Sequence, residues 1–455
     1  MKEEKVYDLV IIGAGSGGYE GAIYAKRRGL KVALVELSKE TLGGNCLNRG
    51  CIPSKHMRHG AYLIEKLLNS EYFGFSAKSI ETSMQKLSYH RDKIITSIRE
   101  NFSKLLFQLG IDVYFGKAKL NSPNEVLLEE TNQLIRTKNI LIATGSSPKH
   151  YGFSVDQKRI FDTDGIWSLT YFPKRLLIIG GGVVGAEFAY MFQMYGSEVT
   201  LVELKERLME GPYIPEESSR FLTRKLRKLG VDIKLKTSVL ELKELSDSIS
   251  VSFSDYQKAE FDCVLLALGR SPNTSGLGLE KLGIKLSDGF IEINSFCQTS
   301  VESVFACGDV TSSLMLAHKS MHQARVAIDN ILGIKTQKED DIFIPRIVYS
   351  AYEIASFGIS QDEAEEEDLK VGVISLSTNP KAMDDGEAEG FVRVICSNDG
   401  KILGCHILGP NAGELLHQVL HLYKSKVSAF SLSNSLFTHP SLSESVIQAF
   451  ELALY

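Results

Sequence analysis

One motif occurs twice in this chain, in the same context and at the same spacing, and that repeat constrains the fold more than any other feature. Leu9-Val-Ile-Ile-Gly13 is an apolar, strand-like run that enters a turn with glycines at Gly13, Gly15 and Gly18. An Ala- and Gly-rich helical segment follows to Leu30, and a second strand, 31–35, ends at Glu36. The pattern returns at Leu176–Gly180, with glycines at Gly180, Gly182 and Gly185, a helical AEFAYMFQMYG segment, and a strand over 199–202 that ends at Glu203. In both copies the acid stands 23 residues after the first glycine (36 − 13 and 203 − 180). Strand, G-x-G-x-x-G turn, helix, strand and terminal acid make a dinucleotide-binding unit. The glycines permit the tight turn, backbone approach to a pyrophosphate and close helix–strand packing, while the helix N-terminus offers unpaired N–H groups to the phosphates. Glu36 and Glu203 then accept from ribose hydroxyls. Two ordinary glycine-rich turns would explain the glycines but not the matched acids, so two dinucleotides are expected.

At 455 residues the chain exceeds what one core supports, since single cores stop growing near ~250–300 residues. The expected class is α/β, with two Rossmann-like dinucleotide-binding domains. The first begins at residue 1 and runs to 146, and the second spans 147–268. The runs Ile140–Ser146, Cys263–Arg270 and Val304–Asp309 read as buried strands that enter glycine turns, and 269–340 is read as returning the chain to the first domain. From about Ile344 the texture is β-rich, most clearly in a hairpin of 391–395 and 402–407 around Asn398-Asp399-Gly400. Helices are expected over 413–422 and 440–454, in a last, α+β domain of 341–455. The acidic run 362–368 reads as a solvated helix face.

Fifty-one basic against 56 acidic residues leave a net charge of −5, which argues against nucleic acid or an anionic membrane as the main partner. No window reaches 18 consecutive apolar residues, and the charged start runs into a short strand without the shape of a signal peptide. These features lead us to expect a cytoplasmic protein. There, a disulfide should be catalytic rather than structural.

Cys46 and Cys51 sit in GGNCLNRGCIPSK, ten residues after Glu36. A structural disulfide is disfavoured by compartment. A zinc site lacks a second close pair, because the other five cysteines (263, 297, 307, 396, 405) are scattered, so no metal is expected. Two unrelated thiols remain an open reading beside a redox pair. A bridge needs Cα atoms within ~7 Å, whereas five residues of ideal helix rotate about 140° off the starting face. A paired Cys46–Cys51 therefore requires a helix that is irregular or that begins between them, which Gly50 and Pro53 allow. A thiol with a pKa near 8.5 also needs a base. Thr438-His439-Pro440-Ser441-Leu442-Ser443-Glu444 offers one: Pro440 fits a first helical position, and Glu444 can hold one nitrogen of the His439 ring. Taken alone, a residue such as His439 is more often a surface or capping residue than a base.

These segments together with ATGS (143–146), LGRSPNT (268–274), ACGDV (306–310), LAHKS (316–320) and HPSLSE (439–444) resemble the flavin-dependent pyridine nucleotide-disulfide oxidoreductases over nearly the whole chain. Among these the resemblance is to members that oxidise protein-bound dihydrolipoamide. It implies FAD on Gly13–Gly18, Glu36, Lys55, Gly116, Thr144, Gly145, Ser146, Asp309, Met315, Leu316, Ala317 and His318. It implies NAD on Gly180, Gly182, Gly185, Glu187, Glu203, Val239 and Gly269. Cys46 would exchange with the lipoyl disulfide, Cys51 would contact the flavin, and Lys55 with Glu187 would lie near the flavin N5. His439, held by Glu444, would be the acid/base and would reach the cysteines of the other subunit of a homodimer built through the last domain. The lipoyl-bearing carrier, of a 2-oxoacid dehydrogenase or glycine cleavage complex, is expected to be a separate chain.

Three positions depart from the family pattern: Asn45 stands where Thr is usual, Arg49 where Val is common, and Ala351-Tyr352 at a His-Pro-type position. Glutathione-type reductases are the nearest rivals. They favour NADPH through Arg residues where this chain has Glu203, although Lys205 and Arg207 lie close by. Mercuric and thioredoxin reductases resemble chains with a further C-terminal cysteine pair, whereas this sequence closes on ELALY. A flavin- and NAD-binding sensor without turnover would have no need of Cys46, Cys51, His439 and Glu444 together.

Overall fold

The computed structural model describes residues 5–77, 79–211, 214–366, 369–432 and 436–454. Its first sheet has the parallel strands Asp112–Phe115, Val32–Glu36, Val6–Ile12 and Gln133–Ile142 side by side in that order. Val304–Ala306 adds in parallel to Gln133–Ile142, pairing Val304 with Ile140. An antiparallel extension, Ala118–Ser122 and Glu125–Leu128, joins the same strand. Leu9, Val10 and Ile11 are fully buried, as a central parallel strand covered on both faces requires. The helix Ser16–Arg27 packs on Ala317–Ile331. At Gly21 a Cβ would already stand 3.3 Å from that of Ala324, so small residues set this helix pair's approach.

The second sheet repeats the plan, all parallel, in the order Asp232–Lys234, Glu198–Val202, Arg175–Ile179, Cys263–Leu266, Ile160–Asp162. Two short strands, Ser146–Pro148 and Arg270–Pro272, pair antiparallel where the chain leaves one sheet and returns from the other. The third sheet is five-stranded and antiparallel, in the order Arg346–Tyr349, Glu353–Gly358, Ile402–Gly409, Phe391–Cys396, Lys370–Ser375. The helices Ala412–Lys424 and Ser443–Leu454 pack on it. The acidic run forms the helix Gln361–Glu366, and its residues 367 and 368 lie outside the described residues.

One expectation fails here. The last helix begins at Ser443, not at Pro440. The His439–Pro440 bond is cis, and the Ser441 amide donates to the Glu444 carboxylate at 2.6 Å. Glu444 thus reaches back from the first turn to satisfy an amide ahead of the helix, and Pro440 belongs to the approach instead.

Candidate active site

The two glycine turns have nearly the same geometry. Gly13 and Gly180 have φ of +99° and +109°, and a side chain on either would strike a carbonyl oxygen just past the end of the neighbouring strand, Ala143 at 2.3 Å or Ala267 at 2.4 Å. A Cβ on Gly18 or Gly185 would stand 1.8 Å from the carbonyl oxygen of Gly13 or Gly180. Both helices open at a glycine, Gly15 or Gly182, in extended backbone without a side-chain cap. Their first N–H groups therefore remain available to an anion. Among the described residues nothing lies within 4 Å of where a Cβ of Gly182 would stand, while that of Gly15 would meet the Gly44 Cα at 3.8 Å.

Each acid is aimed by the turn it serves. Glu36 accepts from the Ala14 amide at 2.6 Å through Oε2, and from the Leu37 amide at 2.8 Å and the Thr41 hydroxyl at 3.0 Å through Oε1. Glu203 accepts from the Gly181 amide at 2.6 Å and the Lys205 amide at 2.9 Å. Gly116 lies beside the first acid, its amide donating to the Glu36 carbonyl at 2.9 Å. Val239 opens the strand Val239–Glu244 just past Thr237, whose amide donates to the Glu203 carbonyl at 3.0 Å.

Around the first turn, the Thr144 hydroxyl donates to the Asn273 carbonyl at 2.8 Å, and the Asn273 amide donates to the Gly145 carbonyl at 2.9 Å. The Ser146 hydroxyl donates to Asp309 at 2.6 Å. Met315 and Leu316 lead into the helix Ala317–Ile331. On that helix the His318 ring, its pKa lowered by burial, donates from Nε2 to the Pro345 carbonyl at 2.7 Å. Gly269 lies at the other crossing, its carbonyl accepting from the Lys149 amide at 2.9 Å.

Cys46 lies within the short helix Gly44–Asn48, and Cys51 is the first residue of the helix Cys51–Leu68. The helical path is thus broken between the cysteines, and the longer helix begins at Cys51 itself. Gly50 makes the break possible, since a Cβ there would stand 3.1 Å from the Asn45 carbonyl oxygen and 3.3 Å from the Cys46 Cα. Both residues are free thiols, which is the dithiol form of the pair. The Cys51 sulfhydryl bonds Cys46 and pulls it down to about 7, with the Ser16 hydroxyl and Lys55 acting in the same sense against burial. That same bond, with burial, pushes Cys51 upward. The first proton to leave the pair is therefore that of Cys46, while Cys51 keeps its own. One turn beyond Cys51, Lys55 Nζ lies 3.0 and 3.2 Å from the two oxygens of Glu187 and 4.3 Å from the centre of the Tyr349 ring. Gly60 lets this helix close on Val183–Met194 and the residue after it, because a Cβ there would strike the Tyr195 hydroxyl at 1.9 Å.

The remaining expected group stands apart. His439 Nδ1 lies 3.0 Å from Glu444, whose carboxyl is held below its usual range by the Ser441 amide and by His439. The ring is 69% exposed, and among the described residues no hydrogen bond joins it to either cysteine within the chain.

Residues 7–324 match the family model described as pyridine nucleotide-disulphide oxidoreductase, and residues 344–450 match the dimerisation domain of the same family. The chain is a pyridine nucleotide-disulphide oxidoreductase. It is 33% identical to a dihydrolipoyl dehydrogenase of Chlamydia trachomatis, over 97% of this chain and 95% of that one. It is likewise 33% identical to a leghemoglobin reductase of Glycine max, over 97% and 86%. Among solved structures it is similar to the HOCl-induced flavoprotein disulfide reductase RclA of Escherichia coli, with 27% identity, a TM-score of 0.87, and 98% and 99% of the two chains covered.

This oxidoreductase uses FAD and NAD. Its residues fit both: each turn carries a cradle that any side chain would fill, an uncapped helix N-terminus and a carboxylate already aimed from the backbone. Among the described residues no helix is long and apolar enough to cross a membrane, and no group of three His, Cys, Asp or Glu could hold a metal.

Sequence reasoning missed Arg270, Asp164 and Trp167. The Arg270 guanidinium donates to the Ser146 hydroxyl and carbonyl, both at 2.8 Å, and to Asp164 at 2.9 Å. It also bonds the Asn45 side-chain oxygen, with the amide turned to face it. Arg270 is visible in LGRSPNT, but its partners lie far away in sequence and nothing local marks them.

Proposed function

We propose that this oxidoreductase oxidises protein-bound dihydrolipoamide with NAD as acceptor. The observation that carries the reading is the Cys46–Cys51 pair at a helix break beside the first glycine turn, with Lys55 and Glu187 one turn beyond it. In this reading 1–146 and 269–340 form the FAD unit, 147–268 the NAD unit and 341–455 the dimer interface. A substrate thiol attacks Cys46 of the oxidised pair, breaking the Cys46–Cys51 bond and expelling the Cys51 sulfur as thiolate, while His439 of the partner subunit takes the substrate proton. Glu444 fixes the His439 tautomer, leaving Nε2 as the base. The second substrate thiol then displaces the Cys46 sulfur, releasing the cyclic disulfide and leaving both enzyme sulfurs reduced, with the substrate protons passed to His439 and to the reduced pair. FAD, when bound, supplies the two-electron store between that dithiol and the nicotinamide. Lys55, Glu187 and the Tyr349 amide, which donates to Glu187 at 2.8 Å, form a rigid charged wall beside the pair. The exposed His439 ring favours a site completed across the two-fold axis.

The likeness to RclA supports a second reading, a reductase that runs electrons outward to another disulfide. Steady-state turnover with dihydrolipoamide against glutathione disulfide, each with NAD(H) and NADP(H), separates the two. Dihydrolipoamide with NAD should dominate; faster glutathione disulfide reduction would overturn the proposal.

A further inference from the structure

The redox loop is gripped by the second dinucleotide domain at a point between its two cysteines. Arg49 lies three residues after Cys46 and two before Cys51, and its carbonyl accepts from the Trp167 indole Nε1 at 2.7 Å. Trp167 is the only tryptophan of the chain. It is itself fixed, its ring 5.4 Å from that of Phe188 and its carbonyl accepting from Arg91 at 2.9 Å. Three residues before Trp167, Asp164 pairs with Arg49 at 3.7 Å and with Arg270 at 2.9 Å. Arg270 in turn bonds Asn45, the residue before Cys46. Segment 163–167 follows the carboxyl end of the strand Ile160–Asp162, and Arg270 follows that of Cys263–Leu266. Both therefore rise from the sheet edge where a doubly wound fold places its nucleotide.

We propose that Trp167, Asp164 and Arg270 form a latch that positions the redox loop, holding the Arg49 carbonyl and the Asn45 amide so that the Cys51 sulfhydryl stays bonded to Cys46. The inference rests on the reading of Cys46 and Cys51 as the exchanging pair. These are positioning residues, because they act on the thiols through the loop. Without the indole N–H, the Arg49 carbonyl loses a partner and the break at Gly50 is free to relax. The Cys51–Cys46 bond, which favours the Cys46 thiolate, then weakens. The other charges around the pair are Lys55, held by Glu187, and the Arg49–Asp164–Arg270 cluster, which the indole change leaves in place.

The test uses the holoenzyme reduced with dithiothreitol and then alkylated with iodoacetamide from about pH 5 to about pH 10, with Cys46 modification followed by peptide mass spectrometry. Trp167→Phe keeps the ring and removes the donor. Its alkylation midpoint should rise by about one unit, so that the rate at pH 7 falls roughly fivefold while the rate at high pH matches the native protein. Asn45→Ala, at a half-buried helical position that alanine suits, should move the midpoint in the same direction by a smaller amount. A lower melting temperature with an unmoved midpoint in both variants would reduce these residues to structural support and overturn the latch. A native protein whose Cys46 shows no midpoint near neutrality would instead overturn the reading of the pair on which the latch rests.

Discussion

The two dinucleotide turns differ in what covers them. Their cradles agree within 0.1 Å in the carbonyl contacts that a side chain would make at Gly13 and Gly180, or at Gly18 and Gly185. The first turn is roofed: Gly44, at the mouth of the redox loop, approaches so closely that a Cβ on it would stand 2.4 Å from the Gly15 Cα, and Glu36 is buried. The second turn is open at Gly182, and Glu203 is only half-buried. A cradle fixes that a dinucleotide binds, whereas the cover governs how readily it leaves. On the proposed assignment of FAD to the first turn and NAD to the second, one fold unit would serve both a retained flavin nucleotide and an exchanging pyridine nucleotide.

The largest effect tests the roof's own chemistry. Cys46→Ser or Cys51→Ser should lower dihydrolipoamide turnover at least about a thousandfold, because both sulfurs are needed for exchange. The flavin absorbance of the purified protein should persist, since neither thiol carries the pyrophosphate. Retained turnover in Cys46→Ser would break the assignment of the roof as the redox element.

Next comes the open turn. Two unit charges at ~4 Å repel by about 1 kcal/mol in water and ~4 at an effective dielectric of 20, so Glu203 should favour NAD over NADP by roughly ten- to a thousandfold in kcat/KM. Glu203→Ala should erase most of that preference. Equal use of NADPH by the native protein would show that Lys205 and Arg207 outweigh the acid.

The comparison itself is tested by a matched pair of substitutions. Gly182→Ala should raise KM for NAD by about tenfold with flavin content unchanged, as expected when the approach of one ligand is obstructed. Gly15→Ala should instead yield protein that is short of flavin, measured by its absorbance ratio after gel filtration. If both lose the same nucleotide, the two turns do not divide the work.

The smallest effect concerns the second subunit. Mixing Cys51→Ser and His439→Gln chains after dissociation makes about half of the dimers hybrid. In each hybrid one of two equivalent sites regains both groups, so activity should recover to roughly a quarter of native. No recovery in confirmed hybrids would place His439 with the cysteines of its own chain.

Whatever is encoded at short range was legible in the sequence. The turns and their acids, the cysteines with the break between them, and the His439–Glu444 pair all lie within a few residues of their partners or at a fixed unit spacing. Pro440 misled because its fixed φ suits a helix start, yet the Glu444 carboxylate takes the Ser441 amide and the helix waits until Ser443. Lys55 and Glu187 are 132 residues apart, so only the family resemblance pairs them in the sequence; their meeting depends on how two helices pack. The grip of Trp167 on Arg49 spans 118 residues and leaves no local trace at all.

The two short strands Ser146–Pro148 and Arg270–Pro272 have a further consequence. Ser146 pairs with Pro272 and Pro148 with Arg270, so the chain departs from the first sheet and comes back through a single doorway. Everything between enters and leaves by that doorway, and the strands on the near side keep their neighbours whatever stands beyond it. A unit attached in this way can be exchanged for another of different ligand preference by two cuts made side by side, with only a tight turn needed to close the gap. The architecture is modular at one point of the chain path, even though the redox loop, clasped from the far side, makes the assembled molecule work as a single piece.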